Sequence, residues 1–276
     1  PMTRIRLAAL LTAVLLAAVL LVAATGCGPA KTPLYVYNWG EYIAEDVIAL
    51  FEEENPDITV KYKTYSDNET MYPQISKSAF DVLFPSDYMV IRLIREGMLA
   101  KPDFANLPNA VAHTDPRLAQ TRFDPDDQLN AQLFEYAVPY LYCTVGLIYN
   151  TDVIDLGGST DPKDVWGVLF NPEYVDRIGM YDSMRESIGA ALNYLGYSLN
   201  TMDPAELAEA KALLIRQRQE VRPITGIDEL KDKYVSGELV AGIAWSGDYQ
   251  VCLDKLSEEN APDTNLAYVL PKGSNF

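Results

Sequence analysis

Four short stretches supply indole or phenol rings together with carboxylates or hydroxyls: Trp39, Glu41 and Tyr42; Ser86, Asp87 and Tyr88; Asp182 and Glu186; and Trp245 with Asp248. A metal site would need several oxygen or imidazole donors and gives no use for two indoles. Paired carboxylates flanked by stacking rings could hydrolyse a glycosidic bond, although no clear nucleophile stands among them. A flexible organic cation uses every group: carboxylates pair with its ammonium ends, and ring faces attract the same charges while covering the methylenes between them. His113 is the single histidine. With no Cys or His cluster beside it, it reads as a surface residue and supplies no catalytic base.

Each stretch stands where a strand is expected to end. Leu34 to Tyr37 have strand propensity before Asn38, Trp39 and Gly40 break the run. An acidic start at Glu45 and Asp46 and an apolar stripe of Ile43, Val47, Leu50 and Phe51 predict a helix that Asn55 and Pro56 stop. Alternation over 58–65 predicts a second strand, 68–77 a weaker helix interrupted by Pro73, and 80–84 a short third strand. Ser86 or Asp87 then caps a helix reaching Gly97. Strand, helix, strand, helix, strand implies a parallel sheet with helical crossovers, which binds ligands beyond the carboxyl ends of its strands.

Residues 102–127, rich in Pro, Asn and Asp, read as irregular surface. A long strand is expected over 136–149, crossing between lobes. The second half repeats the logic: a helix near 161–169, a strand at 178–181 handing Asp182 and Glu186 to a helix, and a helix opened by Asp203 and Pro204. A strand at 221–224, a helix at 228–236, a buried strand at 239–245 ending before Asp248, and a last strand at 265–270 complete it. The fold class is α/β.

At the start, Arg4 and Arg6 precede an uncharged stretch over 7–24, and Ala24, Thr25 and Gly26 stand before Cys27. A basic region, an apolar core and small residues ahead of a cysteine resemble a bacterial lipoprotein signal, with a retained membrane anchor as the alternative. Residues 1–26 are the expected signal peptide, Cys27 the lipidation site and 27–33 a tether, so the domain works outside the cytoplasm. The formal charge is −17, which disfavours nucleic acid and fits either a solvated acidic surface or a field that attracts cations. Cys143 and Cys252 permit a disulfide, but their apolar surroundings favour two buried thiols.

The ordered segments YNWGEY, SDNETMY, FDVLFPSDYMV, REGML, YDSMRESIGAALNYLGYSLNT and IAWSGDY resemble the spermidine/putrescine-binding proteins of bacterial ABC importers, from about Leu34 to Phe276. The resemblance implies a two-lobed type II periplasmic binding fold that closes on its ligand and delivers it to a membrane permease. It implies no enzyme activity and no cofactor or metal, and the chain is expected to be monomeric. Lobe one is expected over 34–140, and the hinge strand, lobe two and the start of a return crossing over 141–276, with the fold incomplete at the C-terminus and ligand binding weakened as a result. Carried onto this chain, the resemblance implies Trp39, Tyr42, Ser86 and Tyr88 as cleft residues of lobe one. From lobe two it implies Glu186 as an ammonium-binding carboxylate, Trp245 as an aromatic wall and Asp248 as a carboxylate of putrescine-type sites. Ser183 departs from an aspartate of spermidine-preferring relatives, with Asp182 beside it as a matched acid. A binding protein for another small solute, a sensor on the same fold and a secreted carbohydrate-active enzyme are the other readings.

Overall fold

The computed structural model describes residues 30–118, 130–258 and 261–273. The leader over 1–26 and Cys27 lie outside the described residues, as does Phe276. Among the described residues no helix is long and apolar enough to cross a membrane. The chain divides into two units, one reaching Met89 and the other beginning at Val90, so residues 90–118 and 130–140 cluster with the second unit.

In the first unit β1 (Thr32–Trp39) lies between β2 (Ile58–Tyr65) and β3 (Val82–Leu83), both parallel to it. Strand β1 runs two residues further than propensity predicted, because Asn38 and Trp39 stay in register with Thr64 and Tyr65. Helix α1 (Val47–Glu54) buries none of its residues, and its expected apolar stripe leaves Val47 and Leu50 exposed. Its main packing partner is β2, which covers only part of that face. Helix α2 (Asn68–Ile75) starts on Asp67, whose carboxylate accepts from the Thr70 amide at 2.7 Å. Such a cap contributes about 1 kcal/mol and holds Asn68 and Glu69 at the end of β2. Helix α3 (Asp87–Arg95) follows β3.

The second unit holds a five-stranded mixed sheet in the order β6-β5-β7-β4-β8. Its strands are β4 (Val145–Asn150), β5 (Ile178–Tyr181), β6 (Ile224–Gly226), β7 (Ala241–Trp245) and β8 (Leu266–Val269). Short helices α4 (Pro108–His113) and α5 (Asn130–Tyr136) precede the sheet. The long strand expected over 136–149 is therefore shorter and begins at Val145. Pro139 has no amide to donate to a ladder, and Tyr140, Leu141 and Tyr142 are exposed. Helix α6 (Pro162–Gly167) packs on α7 (Met184–Leu195), and α7 on α8 (Pro204–Glu220). Ala191, Leu192, Ala210 and Leu213 form the seam between the last two. Two further helices, α9 (Leu230–Val235) and α10 (Ser246–Leu256), pack together beside β7.

Candidate functional site

At the end of β1, Trp39 donates its indole N–H to the Phe84 carbonyl at 2.7 Å, and the Tyr65 hydroxyl donates to the same oxygen at 2.5 Å. Two rings from adjacent strands are thus pinned to one backbone atom where β3 ends. Trp39 stacks on Tyr42, with centroids 5.6 Å apart and planes at 25°. Ser86 and Tyr88 are tied to α2: Asn68 Nδ2 donates to Ser86 Oγ at 2.9 Å and to Tyr88 Oη at 3.1 Å, and Asn68 Oδ1 accepts from the Ser86 amide. The Tyr88 hydroxyl donates to Glu69 Oε1 at 3.0 Å. Asn38 Nδ2 and Glu69 Oε2 are buried with no hydrogen-bond partner among the described residues. The first unit therefore gathers Trp39 with Tyr42 and Ser86 with Tyr88, and adds Asn68 and Glu69. Those two stand in SDNETMY, where they read as the opening of a helix and so were missed as site residues. Glu41 is exposed.

In the second unit β5 and β7 end side by side, and Trp245 lies against Tyr181 with centroids 4.6 Å apart. The Tyr181 hydroxyl donates to Asp248 Oδ2 and accepts from the Trp245 amide at 2.8 Å. On the other side of the carboxylate, Lys231 Nζ is 3.5 Å from Asp248 Oδ1 and 2.9 Å from Asp228 Oδ1. Burial pushes the Asp248 carboxyl above its ordinary value, and the Lys231 ammonium and Tyr181 hydroxyl oppose that rise. Tyr181 is itself held far above the usual phenol range, first by burial and then by the Asp248 charge. Glu186 lies in the first turn of α7, where the helix dipole favours a carboxylate, and accepts a hydrogen bond from Ser183 Oγ. The Ser183 side chain makes no bond to the helix backbone, so the Ser-x-x-Glu spacing does not form the reciprocal cap it could have formed. Asp182 is exposed, and its amide extends the sheet by donating to Gly226 O. Trp245, Asp248 and Tyr181 are thus brought together with Lys231, while the Asp182 side chain stays outside that cluster.

A cavity of about 340 Å³ lies elsewhere in the second unit, lined by Phe104, Ala110, Phe134, Ala137 and Val138, and holds none of these pairs. The ring–carboxylate chemistry, not cavity size, marks the candidate site. Cys252 is buried and Cys143 half-buried, both carried as thiols; Cys143 lies outside the apolar strand expected to bury it, ahead of β4.

The fold is that of the type II periplasmic binding proteins. Residues 46–276 match the bacterial extracellular solute-binding protein family, and the chain belongs to it. The spermidine/putrescine-binding periplasmic protein of Salmonella typhimurium is 35% identical over 219 residues, covering 78% of this chain and 58% of the relative. The chain thus spans little more than half the length of that curated relative. The solved structure of a putative spermidine/putrescine ABC transporter from Listeria monocytogenes is 34% identical, with a TM-score of 0.72 over 88% of this chain and 69% of that one. A lipoprotein of Treponema pallidum is 26% identical, with a TM-score of 0.65 over 88% of this chain and 76% of that one.

Proposed function

We propose that this chain binds a polyamine such as putrescine or spermidine outside the cytoplasm and passes it to the permease of an ABC importer when its lobes close. The observation that carries this reading is the cluster in the second unit, where Trp245 lies on Tyr181 beside Asp248. An aromatic face joined to a carboxylate suits an alkylammonium end: the ring attracts the charge and covers the adjoining methylene, and the carboxylate takes the N–H donors. Trp39, Tyr42, Ser86 and Tyr88 are the proposed partners from the first lobe, and Asp182, Glu186, Trp245 and Asp248 those from the second. The names of the Salmonella and Listeria relatives support the same ligand class. We place the lobe boundary near residue 140, although contacts divide the chain at Val90; the exposed run at Tyr140, Leu141 and Tyr142 supports this reading. The chain acts as a monomer tethered through lipid on Cys27.

Calorimetry and thermal shift against putrescine, spermidine and spermine test the ligand. At least one amine is expected to raise the melting temperature, and Glu186→Gln is expected to weaken its binding by roughly tenfold or more, the usual loss for one charged hydrogen bond. A protein whose melting responds to no polyamine overturns the reading.

A further inference from the structure

Among the described residues Lys231 is the one buried lysine or arginine. Its side chain is 3% exposed, on a short helix whose Leu230, Tyr234 and Val235 are also buried. A lysine in such a place needs carboxylates in reach, and it has two that differ in kind. Asp228, at 2.9 Å, has a side chain 50% exposed, so water can solvate its charge. Asp248, at 3.5 Å, has a side chain 15% exposed and receives one hydroxyl donor, from Tyr181. Asp248 is therefore the carboxylate that depends on an internal cation. The other titratable groups coupled to it are Asp228, Tyr181, Tyr234, Cys252 and Tyr268.

We propose that Lys231 is a built-in counter-charge that shares Asp248 with one ammonium group of a ligand, and that it thereby sets how strongly the site selects for a second charge on the bound amine. The inference rests on the polyamine reading for its ligand, but the ion pair itself does not. With Lys231 in place, Asp248 meets the ligand with part of its charge already offset, and keeps the rest for the ammonium. The second ammonium of a diamine then gains less over the methyl end of a monoamine of equal length than it would at a carboxylate with no internal cation. Lys231 does not belong to the ring–carboxylate pattern of the sequence. In DELKDKYV it reads as one solvated charge among several.

The test compares 1,4-diaminobutane with butylamine by calorimetry on the wild type, Lys231→Met, Lys231→Gln and Lys231→Arg. Lys231→Met is expected to raise the diamine-to-monoamine affinity ratio by about tenfold or more, the low end of what one opposite charge within reach does to a carboxylate. Lys231→Arg keeps the wild-type ratio. A purely structural lysine would change both affinities together and leave the ratio alone, so an unchanged ratio in Lys231→Met overturns the proposal. If Lys231→Met does not fold, Lys231→Gln decides by the same ratio. If the wild type binds neither amine, the polyamine reading fails by itself, and the counter-charge is judged without ligand. The Asp248 carboxyl, followed by carbon-13 NMR, must then titrate at higher pH in Lys231→Met, or in Lys231→Gln where the methionine variant does not fold; an unmoved titration overturns the proposal.

Discussion

Cys252 lies one helical turn beyond Asp248 on α10, wholly buried, with its Sγ 3.7 Å from the Lys231 carbonyl. Burial, followed by the Asp248 charge, pushes its thiol from 9.0 up to about 11. The thiolate is the reactive form, so Ellman's reagent at pH 8 is expected to modify Cys252 only on unfolding; fast labelling of Cys252 in the native protein would contradict this environment. The sign of the linkage follows. A thiol that holds its proton more tightly when folded favours the native state below pH 9, and that share of stability is lost as pH rises from 9 towards 11. Trp245 and Asp248 were legible in the sequence because a strand end followed by an indole and an acid is conspicuous. Lys231 and Tyr181 were not, since a lysine among charges reads as surface and a tyrosine closing an apolar strand reads as core. Only the fold brings them to the same carboxylate.

The register of β5 against β7 is set by two glycines facing each other, Gly179 and Gly242, beneath the ring of Tyr234 from α9. A methyl group at Gly242 would meet the Tyr234 hydroxyl oxygen at 2.0 Å and the Gly179 carbonyl at 2.5 Å. Neither the strand backbone nor a phenol buried to this degree can give way cheaply. Gly242→Ala is expected to lower stability by about 1–3 kcal/mol in urea unfolding, the usual cost of overpacking, and a cost below about 0.5 kcal/mol would show the contact to be soft. The glycines matter to the site because β7 delivers Trp245 and α10 follows directly. Local chemistry made several elements readable. Strand β2 takes its expected bounds, although its alternation breaks at Thr64, which is exposed, and Tyr65, which is buried; β5 follows its apolar run, and α8 starts on Asp203, which accepts from the Ala205 amide at 2.8 Å. What local chemistry could not convey was which apolar residues find a partner. The stripe of α1 leaves Val47 and Leu50 exposed, and the apolar run before β4 lies outside the ladder because no described strand pairs with it.

For the molecule as a whole, the family and the type II fold were recoverable because an ordered set of weak motifs spread over the chain is specific where each motif alone is not. The proposed working place outside the cytoplasm has its own test. Cys27→Ser is expected to abolish incorporation of labelled palmitate and to shift the protein from the membrane fraction to the soluble fraction; unchanged labelling would remove the lipid anchor from the proposal. The sheet of the second unit also bears on how such a chain is made. Strand β4 pairs on one side with β7 and on the other with β8, and the β7 partner of Val145 is Trp245, about 100 residues later. Closing so long a loop must precede any gain from the pairing, which slows folding. Strand β4 comes first in the chain among the strands of this sheet and both its partners come last, so it cannot pair until they emerge. Its strand order thus holds β4 open while the rest of this unit is being synthesised.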